Sequence, residues 1–406
     1  MSHPAYLAFA IPLFLFFMGL EYWYSKRKGK NFFQFAESVA NINVGIAERL
    51  MDVFTMIPFF YFFQYIHTNY AFFDLEANAF TWVALFLLTD LVWYWYHRLA
   101  HEINILWAAH IVHHQSEDFN YTASARITVF QAAIRCGFWA VLPLIGFPAP
   151  MISVLLLIHG LYPFFIHTQT IGKLGWVEYI FVTPSHHRVH HSSNPQYLDK
   201  NYGDVLILWD KLFGTFVEEK EQPVYGLTKP LNSHSFLWQH FHYPLELYVA
   251  FKRAKGFKAK WMVLFGSPEG IDPRIRTHLE KFFLKKRQFF QPTRAHRQYI
   301  SMQTTISLIL LFVVIYFYGS LSALQTGFIS IFILISLINT GAILEQRSWI
   351  FYLEYARLSV GLLWVCCYYP NLLMGISAAT VFVILLYYFR PMEKRYKKLL
   401  YQQVTS

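Results

Sequence analysis

Residues 97–120 read HRLAHEINILWAAHIVHHQSEDFN, with five histidines, and SHHRVHH at 185–191 returns to the same spacing. An imidazole can give one nitrogen to a metal while the other donates a hydrogen bond, so histidines three or four residues apart on a helix can face one ion. His97 and His101 share a face in this way. His110, His113 and His114 form a second set, and His187, His190 and His191 a third, which predicts three helices with three imidazole faces. Eight imidazoles exceed the needs of a four-coordinate zinc site, which keeps three protein ligands when catalytic. Two ions with four or five histidines each, and open positions, account for the number better. Imidazole suits iron, zinc, copper and nickel alike; an O2-using site at a lipid boundary would make iron the natural choice. The Glu-x-x-His pairs of ferritin-like carboxylate sites are absent from these stretches.

Other residues are expected around these sets. His167, in FFIHTQT, ends an apolar run and would reach the same depth as the clusters, as a ninth ligand. His159 lies two turns deeper on that run and is a further metal-binding expectation. His186 is turned about 100° from His187, which points to work beside the metal and not on it. Ligating imidazoles usually pass their second N–H to a carboxylate or carbonyl. Asp90 lies seven residues before His97, inside an apolar run where an acid is costly and by default functional. With Glu102, it is the expected partner of the ligands, and Glu117 and Asp118 also flank them. Arg126, Arg135 and Arg188 are expected to hold carboxylates or the polar end of a cofactor. His234, His240, His242, His278 and His296 lack companion spacing and read as surface or interfacial residues.

The elements that must position these groups are membrane-grade. Of 406 residues, 55% are hydrophobic and 14% charged, against roughly 25% charged in soluble domains. Crossing hydrocarbon takes about 20 helical residues. Long uncharged windows run over 4–20, 53–73, 136–172, 298–344 and 358–389, and Ala79–Tyr96 adds one more despite Asp90. The last three windows could fold as hairpins broken at GFPAP (146–150), YGS (318–320) and YPN (369–371). The fold expected is an all-α polytopic membrane bundle of about nine spans with a cytoplasmic histidine-rich cap. The first run has no basic stretch ahead of it and no cleavage pattern, so it reads as a retained anchor. Cys136, Cys366 and Cys367 suit neither disulfides nor zinc.

Alternate loops hold Lys26, Arg27, Lys28 and Lys30, then Arg98, then 173–297, Arg347 and the tail 390–398, whereas the opposite loops hold no Lys or Arg. The positive-inside rule makes the first set cytoplasmic, histidines included. Residues 251–297 carry thirteen Lys or Arg against three acidic residues. Beside membrane helices such a strip points to anionic lipid headgroups and not to nucleic acid. A transporter should carry ionisable residues at mid-membrane on several helices; apart from Asp90 and His159 the middles are apolar.

The arrangement HxxxH at 97, HxxHH at 110 and HxxHH at 187 resembles the fatty acid hydroxylase and sterol desaturase superfamily of membrane di-iron oxygenases. YWYHRLAHEINILWAAHIVHHQ, FFIHTQTIGKLGWVEYIFVTPSHHRVHH and NYGDVLILWDKLFGTF are similar to its alkylglycerol monooxygenase branch. HHSSNPQY, after the third set, matches that branch only loosely. The resemblance implies two iron ions on the eight motif histidines, with Glu102 important, and O2 with a membrane lipid as substrates. It implies oxidative cleavage of the ether bond of alkylglycerols with tetrahydrobiopterin as reductant. The wider superfamily acts on sterols, carotenoids or acyl chains with electrons from a cytochrome or ferredoxin partner protein. The expected division is membrane anchor spans over 1–78, the catalytic region over 79–250, a basic juxtamembrane segment over 251–297, and C-terminal spans with a basic tail over 298–406. The host membrane would be the endoplasmic reticulum in a eukaryote or the inner membrane in a bacterium. WDKLFGT, at 209–215, is expected to pack in the cap without a catalytic role.

Overall fold

A computed structural model describes residues 5–284, 292–347, 349–368 and 371–400, so Lys285, Lys286 and Arg287 of the basic segment, and the YP of the YPN break, lie outside the described residues. Among those residues every regular element is a helix, with two isolated bridges and no strand. Six helices are long and apolar enough to cross a membrane: Ala5–Arg27, Ala79–Glu102, Ala149–Ile166, Arg294–Tyr316, Ala323–Leu344 and Leu372–Lys398. The chain is an integral membrane protein.

Against an expectation of about nine spans, six candidates stand among the described residues, and the difference has physical reasons. The first half of the window at 136–172 yields only the short apolar stretch Gln131–Ile145, too short for about 30 Å of hydrocarbon. The window at 53–73 is the second half of one 36-residue helix, Phe35–Tyr70. At 1.5 Å per residue that rod is about 54 Å long, and its first half carries Glu37, Asn41, Asn43, Glu48, Arg49 and Asp52. Ile350–Tyr368 carries Glu354 and Arg357, which break the apolar run that would otherwise count as a span.

The long rod is central. One side of it packs with Ala79–Glu102, Gln131–Trp139 and Ala149–Ile166 through Phe63, Leu85, Tyr96, Trp139 and Ile152. The other side packs with Arg294–Tyr316 and Ala323–Leu344 through Ile46, Leu50, Leu311, Ile333 and Leu337. The chain turns between Val141–Ile145 and Ala149–Ile166 at Gly146, whose φ is +131° and whose absent Cβ leaves room for the carbonyl of Phe73. Any side chain there would be strained. Ala79–Glu102 starts with a reciprocal cap between Asn78 and Thr81, which satisfies orphan N–H groups at its end. Arg357 and Glu354 lie buried within the C-terminal bundle, bonded to each other and to Gln303 on the neighbouring helix. Buried charges are tolerated when paired and hydrogen-bonded in this way.

Candidate metal centre

Ala79–Glu102 runs out of the apolar zone with His97 and His101 on its last turns, and Asn104–His110 follows after a single residue. His113 and His114 sit in a short 3-10 turn, not on a continuous helix with His110. His167 caps Ala149–Ile166, and Pro184–His190 carries the third motif. These pieces bring nine imidazoles into two groups. His97, His101, His110, His114 and His190 form one; His113, His167, His187 and His191 form the other. Within each group one nitrogen per ring lies within 4.8 Å of all the others.

The partition differs from the three faces expected from spacing. Each HxxHH motif is divided: the i, i+4 pair enters one group and the middle histidine crosses to the other. His110 and His114 join the five while His113 joins the four. His187 and His191 join the four while His190 joins the five. Residues three and four apart lie about 300° and 400° around a helix, so two centres placed on either side of the motif can divide it.

Hydrogen bonds fix which nitrogen of each ring points inward. A carbonyl only accepts, so Nδ1 donates from His97 to Tyr202 O (2.8 Å), from His113 to Arg126 O (3.1 Å), from His167 to Pro163 O (2.6 Å) and from His190 to Lys200 O (3.0 Å). Neutral rings bound in this way leave Nε2 as a bare lone pair. Nε2 of His167 nevertheless lies 3.2 Å from Nε2 of His113 and 3.0 Å from that of His187. Nε2 of His97 lies 3.1 Å from that of His110, and the buried Nε2 atoms of His101 and His190 have no partner. The facing lone pairs of His113 and His167 repel unless a cation lies between them, and with nitrogens converging in two groups the donor set fits two metal ions.

Burial holds His110, His113, His114, His187, His190 and His191 well below the ordinary imidazole pKa and His167 down to about 4, with neighbouring imidazoles lowering the first six further. The unfolded chain therefore binds protons below about pH 6.5 that the folded chain refuses. Folded stability falls as pH drops through that window, by up to about 1.4 kcal/mol per pH unit for each such ring. Metal-free protein in detergent should lose thermal stability steadily from pH 7 to pH 5. A flat melting temperature over that range would contradict the assignment of neutral buried rings.

The remaining expected residues fall elsewhere. Asp90 touches none of the nine rings. Its carboxylate accepts from the N–H groups of Val205 and Leu206 (3.0 Å each) and from the indole of Trp209 (2.9 Å). His159 donates to Asp204 (2.6 Å) and lies 3.7 Å from Asp90, a separate buried trio that could itself hold an ion. Glu102 is exposed and pairs with Arg98 (2.9 Å). His186 accepts from the N–H of Thr183 at its own helix start and packs on Phe216. Asp118 accepts from the N–H of Gln34, and Glu117 lies against Gly226.

Two expectations are corrected. His240, His242 and His296 are buried, not superficial. His242 sits between Gln115 and Glu246 because the helix Phe236–Arg253 packs its histidine face inward. Arg126 holds no carboxylate. Its guanidinium, 1% exposed, donates to Val112 O, Asn41 Oδ1 and Gln115 Oε1 at 2.7–3.0 Å. Arg188 does hold a carboxylate, with two bonds to Glu219, and Arg135 lies 3.6 Å from Glu48.

Sequence reasoning missed Glu21, which is buried in the first helix and accepts from Thr168 and from the N–H of Tyr121. It also missed Asp199, Asn201, Asp204 and the structural part played by Asp210. Asp204 and Asp210 bracket the short apolar stretch VLILW, a weaker form of the signal that singled out Asp90.

Comparison with known proteins agrees with this geometry. A fatty acid hydroxylase family profile matches residues 82–215, a stretch that holds all nine clustered histidines and ends with WDKLFGT. The alkylglycerol monooxygenase of Homo sapiens is 40% identical over 267 residues, 65% of this chain and 60% of that protein. Those of Xenopus tropicalis (39% over 234 residues, 57% and 52%) and Danio rerio (36% over 268 residues, 65% and 60%) are similar in the same way. The chain thus matches between half and two thirds of the length of these relatives. No solved structure matches it. With its histidine motifs inside the matched stretch, residues 82–215 of the chain are similar to the fatty acid hydroxylase family.

Proposed function

We propose that this protein is a membrane monooxygenase that cleaves the ether bond of alkylglycerols, with two iron ions held by the nine clustered histidines. The observation that carries the metal reading is the pair of bare Nε2 atoms of His113 and His167, facing each other at 3.2 Å within two groups of converging imidazole nitrogens. Likeness to alkylglycerol monooxygenases at 36–40% identity supports the substrate class. The metals would supply activation of O2. One oxygen atom enters a C–H bond of the ether-linked carbon and the other leaves as water, with two electrons and two protons from a tetrahydropterin. The hemiacetal then splits into glycerol and a fatty aldehyde.

The protein's own residues bind and orient. Phe119 stacks on His167 and on Tyr225, closing one side of the four-histidine group with apolar surface. Such walls limit water-driven side reactions, and a held chain gains proximity. Residues 79–250 would make up the catalytic region, on the cytoplasmic side by the positive-inside asymmetry of the loops. The helix Gly256–Phe265 exposes Phe257, Trp261, Met262 and Phe265 beside Lys258 and Lys260, a face suited to anionic headgroups.

Purified protein loaded with iron should release fatty aldehyde from an alkylglycerol only when tetrahydropterin and O2 are both present. Turnover of a sterol or acyl lipid with no aldehyde would move the assignment within the family. Aldehyde formed with a ferredoxin and not with the pterin would overturn the choice of reductant.

A further inference from the structure

Three of the five imidazoles in the larger group meet one four-residue stretch at their outer nitrogens. His190 donates to the carbonyl of Lys200 and His97 to that of Tyr202, and Nδ1 of His101 lies 3.5 Å from the carboxylate of Asp199. The stretch is held in an unusual backbone conformation: Asp199 and Asn201 have φ of +57° and +55°, a left-handed geometry that Asn and Asp tolerate better than other side chains. Asn201, fully buried, is bound on three sides. Its amide donates to His186 O and Val217 O, and its Oδ1 accepts from the N–H of Val217. Asp210 accepts from the N–H groups of Tyr202 and Gly203 at 2.7 Å each, and Asp90 accepts from Val205 and Leu206 just beyond. The two buried carboxylates thereby clamp one end of the strap.

The four-histidine group has no counterpart. His113 and His167 are oriented by the carbonyls of Arg126 and Pro163. Among the described residues, Asp199 is the only carboxylate within 4 Å of any of the nine rings. A carboxylate on the outer nitrogen of a ligating imidazole raises its basicity and fixes its ring direction.

We infer that the strap Asp199–Tyr202 tunes the five-histidine site alone, with Asp199 as a positioning residue that makes the two metal sites electronically unequal. This rests on the reading that the histidines hold metal, and it does not depend on which lipid is oxidised. Asp199 is well suited to a clean test because its side chain is 60% exposed, so Asp199→Asn removes charge without opening the core.

The test is Mössbauer spectroscopy of the full-length protein loaded with ⁵⁷Fe, alongside titration of iron binding. Wild type should show two quadrupole doublets. In Asp199→Asn one doublet should move while the other stays, and one of the two iron equivalents should bind about tenfold or more weakly. Asp199→Glu should restore both. Two unmoved doublets with unchanged affinity would overturn the inference, as would equal movement of both, which a general loosening of the fold would give. Since neither substrate nor reductant is needed, that failure is separate from any failure to release aldehyde. Wild-type protein that takes up no iron would refute the metal reading and the inference together.

Discussion

His190→Ala should empty the site built by His97, His101, His110 and His114, and His191→Ala, one residue on, should empty the other. Each variant should lose oxygenase activity to background while still inserting in the membrane. The expectation follows from the crossing of the motif histidines. Nε2 of His190 is aimed at the five-histidine group by the bond from its Nδ1 to Lys200 O. Nε2 of His191 lies 3.1 Å from that of His187 and 3.2 Å from that of His167. The variants can therefore be told apart by metal analysis with spectroscopy even though both are inactive. Each should retain about one equivalent, in different environments. Loss of the same equivalent from both would refute the partition, and full activity in either would refute the role of that histidine as a ligand.

Arg126→Met should cost about 3–5 kcal/mol of stability, the second large effect. The guanidinium is buried, with its pKa lowered to about 10 by burial, so it stays charged at neutral pH. It joins Val112 O, Asn41 Oδ1 and Gln115 Oε1, and methionine would leave all three acceptors without that donor. A buried group left unsatisfied costs about 1–3 kcal/mol. The site should suffer too, because the carbonyl of Arg126 orients His113. Thermal unfolding in detergent should show a large drop in midpoint, along with weaker binding at the four-histidine site. A shift of less than about 1 kcal/mol would mean that water replaces the guanidinium there, against the burial described.

Much of the chemistry was legible because it is local. Histidines at i, i+3 and i+4 need no tertiary information to suggest convergence, and an acid such as Asp90 inside an apolar run announces a partner. The crossing of His113 and His190 was not legible, since it depends on how Asn104–His110 and Pro184–His190 approach each other and on the tight turn at His113. Nor were the orienting groups. Carboxylates were expected beside the rings, yet four rings give their N–H to backbone carbonyls, and a carbonyl leaves no trace in residue type. The count of spans differs where an apolar window is one half of a longer helix whose other half is polar and buried, as at 53–73. A single buried histidine such as His240 or His242 has no spacing signature, which is why the pattern alone reads it as surface or interfacial.

The long helix Phe35–Tyr70 has one further consequence. Asn41 donates to Ser116 and Thr122 beside the imidazole chamber, while Asn43, two residues along the same rod, donates to Thr340 of the C-terminal helices. Those residues point about 200° apart, so the rod is geared to both halves of the molecule at once. Any tilt that bilayer thickness or lipid composition imposes on the C-terminal helices has a stiff lever into the chamber, and turnover should vary with the membrane that surrounds the protein.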